Sequence, residues 1–273
     1  MNGKQAVAFI KDRLKNFSVE AENEAEILVC HILNISRGAI RYTQKQIAEK
    51  EIEGLICRRL KGEPLQYILG KWGFYKGEFL VGDGVLIPRQ DTETLVETAV
   101  EFLKDRQNPT VIDLCSGSGC VAISIATDYP DAKVIACEKY EKAFSFLVKN
   151  ISLNKTPNVT PMLLDITKET LSSADLIVAN PPYITKKDME SLDIEVKREP
   201  ETALYGGEDG LYFYRVIAEK WSPLLKKGGM LALEIGIGQE REVIDLLKKA
   251  GLKNVATKKD LCGVQRVVFG TAN

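Results

Sequence analysis

The stretch Asp113-Leu114-Cys115-Ser116-Gly117-Ser118-Gly119-Cys120 closes one kind of pattern and opens another. Before it, residues 110–114 form an apolar run of strand length. After it, residues 119–129 read as a helix opened by glycine and small residues. Gly117 and Gly119 let the backbone turn tightly and approach a bound molecule with no Cβ in the way. The chain downstream keeps the alternation. Strands are expected over 133–137, 159–164, 175–179 and 230–235, helices over 141–154, 210–225 and 239–250, and a closing strand pair over 255–257 and 264–269. This predicts an α/β fold with a mostly parallel sheet covered on both faces. Ligands in such sheets bind in the crevice at the carboxyl ends of the strands.

Upstream the pattern changes twice. Residues 1–72 carry apolar residues at helical spacing and predict a small helical bundle. Over 73–90, aromatic and β-branched residues between Gly73, Gly77, Gly82 and Gly84 predict a β-hairpin or two short strands. An amphipathic helix follows over 92–104. The expected organisation is a helical domain over 1–72, a hairpin linker over 73–90 and an α/β domain over 91–273.

Composition narrows the function classes. A chain of 273 residues, 45% hydrophobic and 27% charged, has the balance of an ordinary globular protein. The formal net charge of -1 argues against nucleic acid as the main ligand, because phosphate neutralisation needs a basic surface. Six cysteines without a Cys-x-x-Cys pair, and one histidine, argue against a zinc site and fit a reducing cytosol. No metal is expected. No apolar run is long enough for a signal-peptide core or a membrane span, so a cytoplasmic protein with no membrane partner is expected.

The glycine turn by itself leaves the cofactor open. Gly117-x-Gly119-x-x-Ala122 matches the dinucleotide fingerprint, and Glu138 ends the next strand about twenty residues on, where an acid accepts hydrogen bonds from ribose hydroxyls. Asp113 favours S-adenosylmethionine. An acid beside the loop repels a pyrophosphate, whereas it attracts the ammonium of the methyl donor. Its plainer alternative is a carboxylate capping nearby loop amides. Asp165, at the end of the third strand, can accept from an adenine amino group, and Ile166 can pack on the adenine face. The alternative for Asp165 is a cap on a helix over 167–171.

The sharpest signal is Asn180-Pro181-Pro182-Tyr183, directly after the strand over 175–179. Two prolines fix φ and stop the ladder, so the loop is stiff. An amide nitrogen is a poor nucleophile, its lone pair being delocalised into the carbonyl. Two acceptors facing its N–H groups hold it in line for attack: the side-chain oxygen of Asn180 and the backbone carbonyl of Pro181. Tyr183 can stack on the planar amide. Catalysis then comes from alignment and from stabilising charge on nitrogen, with no strong base required. Asn180, Pro181 and Tyr183 are the candidate catalytic residues. Pro182 joins them in holding the substrate.

With these residues the chain resembles the release-factor glutamine methyltransferases (PrmC, or HemK) over nearly its whole length. Four further stretches carry the resemblance: Pro64-Leu65-Gln66-Tyr67-Ile68-Leu69-Gly70, Val85-Leu86-Ile87-Pro88-Arg89-Gln90-Asp91-Thr92-Glu93, Glu199-Pro200, and Ala203-Leu204-Tyr205-Gly206-Gly207. The tetrapeptide also occurs in DNA adenine methyltransferases. The second and last stretches are far more specific. The resemblance implies a class I Rossmann-like methyltransferase domain joined by a hairpin to an N-terminal bundle that grips the release factor. It implies methylation of the glutamine in the Gly-Gly-Gln loop of peptide-chain release factors, with S-adenosylhomocysteine as product, by a monomer. It further implies that Cys115, Ser116, Gly117, Ser118, Gly119 and Glu138 hold the donor, that Asn180 lies near both donor and amide, and that Leu86 to Arg89 lie close by. Two departures stand out. Cys115 replaces the family's usual glycine, which predicts an ordinary backbone there and a narrower methionine end. Glu138 replaces the more frequent Asp.

Rival readings remain. A glutamine methyltransferase acting on a large-subunit ribosomal protein shares the chemistry. An adenine-N6 methyltransferase shares the tetrapeptide but needs to extract a base and bind phosphates. An NAD-dependent oxidoreductase shares only the glycine turn, and a noncatalytic module explains none of the acids.

Overall fold

A computed structural model describes residues 1–273, which part into two units: Met1–Gly70 with Asp193–Arg198, and Lys71–Leu192 with Glu199–Asn273. The first unit holds helices α1 (Gly3–Leu14), α2 (Ala21–Leu33), α3 (Glu49–Leu60) and α4 (Leu65–Leu69). Asn2 starts α1 with a reciprocal cap: its side chain accepts from the Gln5 amide at 3.0 Å while Gln5 accepts from the Asn2 amide. The apolar faces meet in a core that includes Ile10, Leu14, Leu28, Ile52 and Ile56. Beside it, buried Arg59 makes a two-pronged bond to Glu24, at 2.7 and 2.9 Å, and reaches Glu195 at 2.6 Å. Residues 193–198 therefore fold with the helices, although the sequence reading kept all of 91–273 together. An arginine in α3 does not announce a carboxylate so far along the chain.

The second unit opens with an antiparallel hairpin, β1 (Lys71–Phe74) and β2 (Gly77–Leu80). Residues 81–89 are irregular rather than strand. The hairpin docks on the α/β layer through fully buried Asn150, which accepts from the Leu80 amide at 2.7 Å and donates to the Leu80 carbonyl at 3.1 Å. Then come α5 (Glu93–Leu103), β3 (Thr110–Leu114), α6 (Cys120–Asp128), β4 (Lys133–Glu138), α7 (Glu141–Asn154), β5 (Val159–Leu163), β6 (Ala174–Ala179), α8 (Lys186–Glu190), α9 (Tyr212–Val216), β7 (Leu225–Glu234), α10 (Glu240–Lys249), β8 (Lys253–Lys259) and β9 (Gln265–Thr271).

The seven strands lie in the order β5-β4-β3-β6-β7-β9-β8, parallel except for β9. Side chains alternate between two cores. Val111, Val134, Ala136, Leu176 and Val178 face one. Ile112, Leu114, Ile135, Cys137, Ile177 and Ala179 face the other. Burial on both faces is why these strands read as apolar runs. The helix expected over 210–225 is broken: α9 passes into a π-helical turn at Ile217–Trp221 and a 3-10 turn at Ser222–Leu224. Trp221 is fully buried with its indole N–H on the Ile166 carbonyl at 3.0 Å, and Pro223 has no N–H to continue the ladder.

Candidate active site

Strand order reverses at β3, with β4 on one side and β6 on the other. A crevice opens at such a reversal, outside the carboxyl ends of the strands. Asp113 and Leu114, Glu138, and Asn180 stand at or just beyond those three ends. One cavity is lined by Asp113, Cys115, Ser116, Gly117 and Ser118, by Glu138, Asp165 and Ile166, and by Asn180 and Pro182. Leu86, Ile87, Pro88, Arg89 and Thr92 line it too. Three candidates from the sequence do not: Gly119, Pro181 and Tyr183.

Gly119 has a packing role. Its φ is 82°, and a Cβ there would stand 2.5 Å from Leu147 Cδ1 of α7. Gly117, at φ 54°, has open space where its Cβ would be, so the backbone itself faces the cavity. Cys115 overturns an expectation. Its φ is 59°, in the left-handed region, so a side chain here does not bring an ordinary backbone. L-residues pay roughly 1–2 kcal/mol for that conformation. Burial pushes the Cys115 thiol well above its usual range, so it stays protonated.

The acids are tied down by the loop. Asp113 is 1% exposed, and its Oδ2 accepts from the Ala122 amide of α6 at 3.2 Å. Burial pushes its carboxyl up to about 7. The plainer alternative of amide capping thus describes one oxygen. Glu138 accepts from three amides, Gly117 at 2.9 Å and Lys139 and Tyr140 at 2.8 Å each. A carboxylate has about four acceptor positions, so roughly one remains for a ligand hydroxyl. Burial raises its pKa despite those amides. Asp165 takes the Thr167 amide at 3.0 Å and hydroxyl at 2.7 Å, and pairs with Lys139 at 3.2 Å. It caps a turn, not the helix offered as its alternative.

The tetrapeptide loop is braced from behind. Ile184 and Tyr205 form a parallel bridge, with the Ile184 amide on the Leu204 carbonyl and the Gly206 amide on the Ile184 carbonyl, each at 2.9 Å. A Cβ on Gly206 would come within 2.6 Å of Tyr183 Cα and 2.7 Å of the Pro182 carbonyl. This explains the glycine of the Ala203-Leu204-Tyr205-Gly206-Gly207 stretch. The Tyr183 ring lies beside Gly236, where a Cβ would be 2.9 Å from Cδ2. Burial pushes its phenol up to about 12, so it stays neutral.

Three residues take roles here that the sequence does not assign them. Glu199 holds the segment before α5: it accepts from the Ile87 amide at 2.9 Å and pairs with Arg89. Thr92 accepts from Asn180 Nδ2 at 3.2 Å. Glu234 ends β7, is 2% exposed, and its anion is favoured by the neighbouring Thr92 hydroxyl. An acid closing the apolar run 230–235 was the signal for the last, by the same logic that found Asp113 and Glu138.

The comparisons agree with this geometry. The family profile described as PrmC N-terminal domain matches residues 5–70, and that of the methyltransferase small domain matches residues 90–198. A release factor glutamine methyltransferase of Thermodesulfovibrio yellowstonii is 38% identical over 97% of this chain and 97% of its own. One of Geobacter sulfurreducens is 38% identical over 92% of this chain and 89% of its own. Among solved structures, a precorrin-6y C5,15-methyltransferase of Geobacter metallireducens covers 71% of this chain and 94% of its own, with a TM-score of 0.50 and 15% identity, a likeness of fold alone. Identity at this level over nearly the full length places the chain, as an enzyme, in the release factor glutamine methyltransferase family.

Proposed function

We propose that this enzyme transfers a methyl group from S-adenosylmethionine to the side-chain amide nitrogen (N5) of the glutamine in the Gly-Gly-Gln motif of peptide-chain release factors. One observation carries the reading: the glycine loop with its two acids and the Asn180 loop line a single cavity at the strand reversal. The residues fit the donor. Buried Asp113 offers an anion for an ammonium, Glu138 keeps about one acceptor position for a ribose hydroxyl, and Ile166, 4% exposed, offers an apolar face for adenine. When bound, the donor supplies a methyl on a positively charged sulfur.

The chain's own residues do the rest. Asn180 directs its side-chain oxygen at one N–H of the substrate amide, and the Pro181 carbonyl, outside the cavity lining in the ligand-free chain, is the acceptor we assign to the other. The Ile184–Tyr205 bridge and the close seat of Gly206 keep that loop from yielding. Alignment of this kind removes part of the barrier before any bond changes. The two acceptors also stabilise the charge that grows on nitrogen. Tyr183, outside the cavity lining, supports the loop through its packing on Gly236 rather than serving as the floor of the pocket. The reading includes a monomer acting in the cytoplasm on protein. Net charge supports protein over nucleic acid, and no helix is long and apolar enough to cross a membrane.

The test is transfer of label from S-adenosylmethionine to a purified release factor, beside a variant whose loop glutamine is replaced. Label on the native factor alone is expected. Equal label on both removes glutamine as the target.

A further inference from the structure

A buried carboxylate is costly, and one with an unsatisfied oxygen more so. Glu234 is such a group: it is 2% exposed and its Oε2 has no hydrogen-bond partner. It sits one residue beyond the Ala179↔Leu233 pair, beside the start of the Asn180 loop. The side chain between them is Thr92, itself 2% exposed. Thr92 accepts from Asn180 Nδ2 at 3.2 Å and lies close enough to favour the Glu234 anion, and a hydroxyl has a single hydrogen to give.

That single hydrogen decides a direction. An ionised carboxylate only accepts, so the Thr92 hydroxyl turns its hydrogen towards Glu234. Its oxygen is then left as an acceptor, and the partner it takes is Asn180 Nδ2 at 3.2 Å. With the nitrogen held, Asn180 turns its oxygen to the cavity that it lines. Turned the other way, Asn180 would present an NH2 group to the NH2 of a substrate amide, two donors with nothing to accept.

We infer that Thr92 and Glu234 are positioning residues, a relay that fixes which end of the Asn180 amide faces the substrate. The inference rests on the proposed function for its meaning, because only an amide or amino substrate needs an acceptor there. The relay has a proton switch. A neutral Glu234 can donate to Thr92, freeing the Thr92 hydrogen to swing to the Asn180 oxygen and letting the amide flip. Burial pushes Glu234 up to about 7, so the switch falls in an accessible range. Several groups face it. Arg266 and Arg89 favour its anion, and Asp91 opposes it. Arg266 is itself shared with Asp91 at 3.0 Å and Asp260 at 3.1 Å. The Tyr183 phenol, the Tyr214 phenol and the Cys120 thiol also lie within its field, and burial keeps all three neutral.

The experiment reads the amide itself. In nitrogen-15 spectra of the intact chain, the Asn180 side-chain NH2 pair is assigned by its loss in Asn180→Asp. Its proton exchange and shifts are followed with pH in the wild type, Thr92→Ser, Thr92→Val and Glu234→Gln. The inference expects a protected NH2 pair in the wild type and in Thr92→Ser, and an unprotected pair in Thr92→Val. It expects a pH transition near 7 in the wild type that is gone when Glu234→Gln is combined with Asp113→Asn. In turnover, Thr92→Val should lose roughly 10- to 100-fold in kcat with donor affinity little changed, and Thr92→Ser should restore most of it. Glu234→Gln keeps size and shape and carries the test if Thr92→Val does not fold. An amide pair that is the same in Thr92→Val as in the wild type, or a pH transition that survives when Glu234→Gln is combined with Asp113→Asn, whose carboxyl titrates in the same range, overturns the relay. Because the spectra need no substrate, they judge the relay even if the wild type fails to methylate a release factor, a result that would count against the proposed function alone.

Discussion

Asp113 sets a pH dependence on donor binding that can be worked from its surroundings. Burial pushes its carboxyl up to about 7. If its anion receives the ammonium of S-adenosylmethionine, only the ionised fraction of the enzyme is competent. That fraction is roughly nine-tenths at about pH 8 and roughly one-tenth at about pH 6, so affinity should weaken about tenfold, or about 1.4 kcal/mol, over that span. Calorimetric titration of the donor at both pH values, in buffers of different ionisation enthalpy, gives the affinity and counts the protons released. Asp113→Asn should bind weakly at both pH values and show no slope. Stability runs the opposite way. The folded value lies above the usual 3.8, so the folded chain holds a proton that the unfolded chain loses. Stability from this group is therefore full below about pH 4 and is lost as pH rises towards about 7, a cost of a few kcal/mol. Glu234, pushed from 4.5 to about 7, acts with the same sign. The ligand-free enzyme should melt at a higher temperature near pH 5 than near pH 8, and Asp113→Asn should shrink the difference. Donor affinity that is flat across the span, or a slope that Asp113→Asn leaves intact, refutes the assignment.

The remaining predictions concern the loops and the helical unit. Asn180→Ala should keep donor affinity within a few-fold and lose methyl transfer by at least about a hundredfold, since an orienting acceptor is gone; near-normal single-turnover rates would sink the alignment mechanism. Gly206→Ala puts a Cβ against backbone atoms that cannot step aside, and should cost roughly 1–3 kcal/mol in thermal unfolding together with most of the activity. A melting point and rate equal to the wild type would mean the loop is looser than described. At Cys115, whose φ is 59°, glycine should leave stability within about 1 kcal/mol while valine should lower it by more than that, because a β-branched side chain fits the left-handed region worst; equal melting points for the two would contradict the backbone assignment. Arg59→Met strands Glu24 and should destabilise the helical unit by about 3 kcal/mol or more in denaturant titration. A loss below about 1 kcal/mol would show that the pair is not the buried clamp it looks.

Local chemistry was legible from the sequence and long-range partnership was not. The glycine turn, the acids at the ends of β3 and β4, and the tetrapeptide are each announced within a few residues, because periodicity and backbone stiffness are local properties. Strand ends are legible to within a residue for β3 to β6; in β3, β4 and β6 burial on both faces leaves apolar runs, whereas β5, at the sheet edge, is partly exposed. Glu199 braces Ile87, and Thr92 holds Asn180, across chain separations that no spacing rule spans. Cys115 shows another limit: a non-glycine residue gives no sign that its φ is positive. Tyr183 and Pro181 were drawn towards the cavity by their place in the motif, yet the folded loop leaves them out of its lining.

The central claim concerns one nitrogen atom. A release factor incubated with the enzyme and S-adenosylmethionine is digested and the peptide holding its Gly-Gly-Gln loop is sequenced by tandem mass spectrometry. One added methyl on the glutamine side chain with the wild-type enzyme, and none with Asn180→Ala, is the predicted result. A methyl on any other residue, or an unmodified loop from an enzyme that binds the donor normally, contradicts the account.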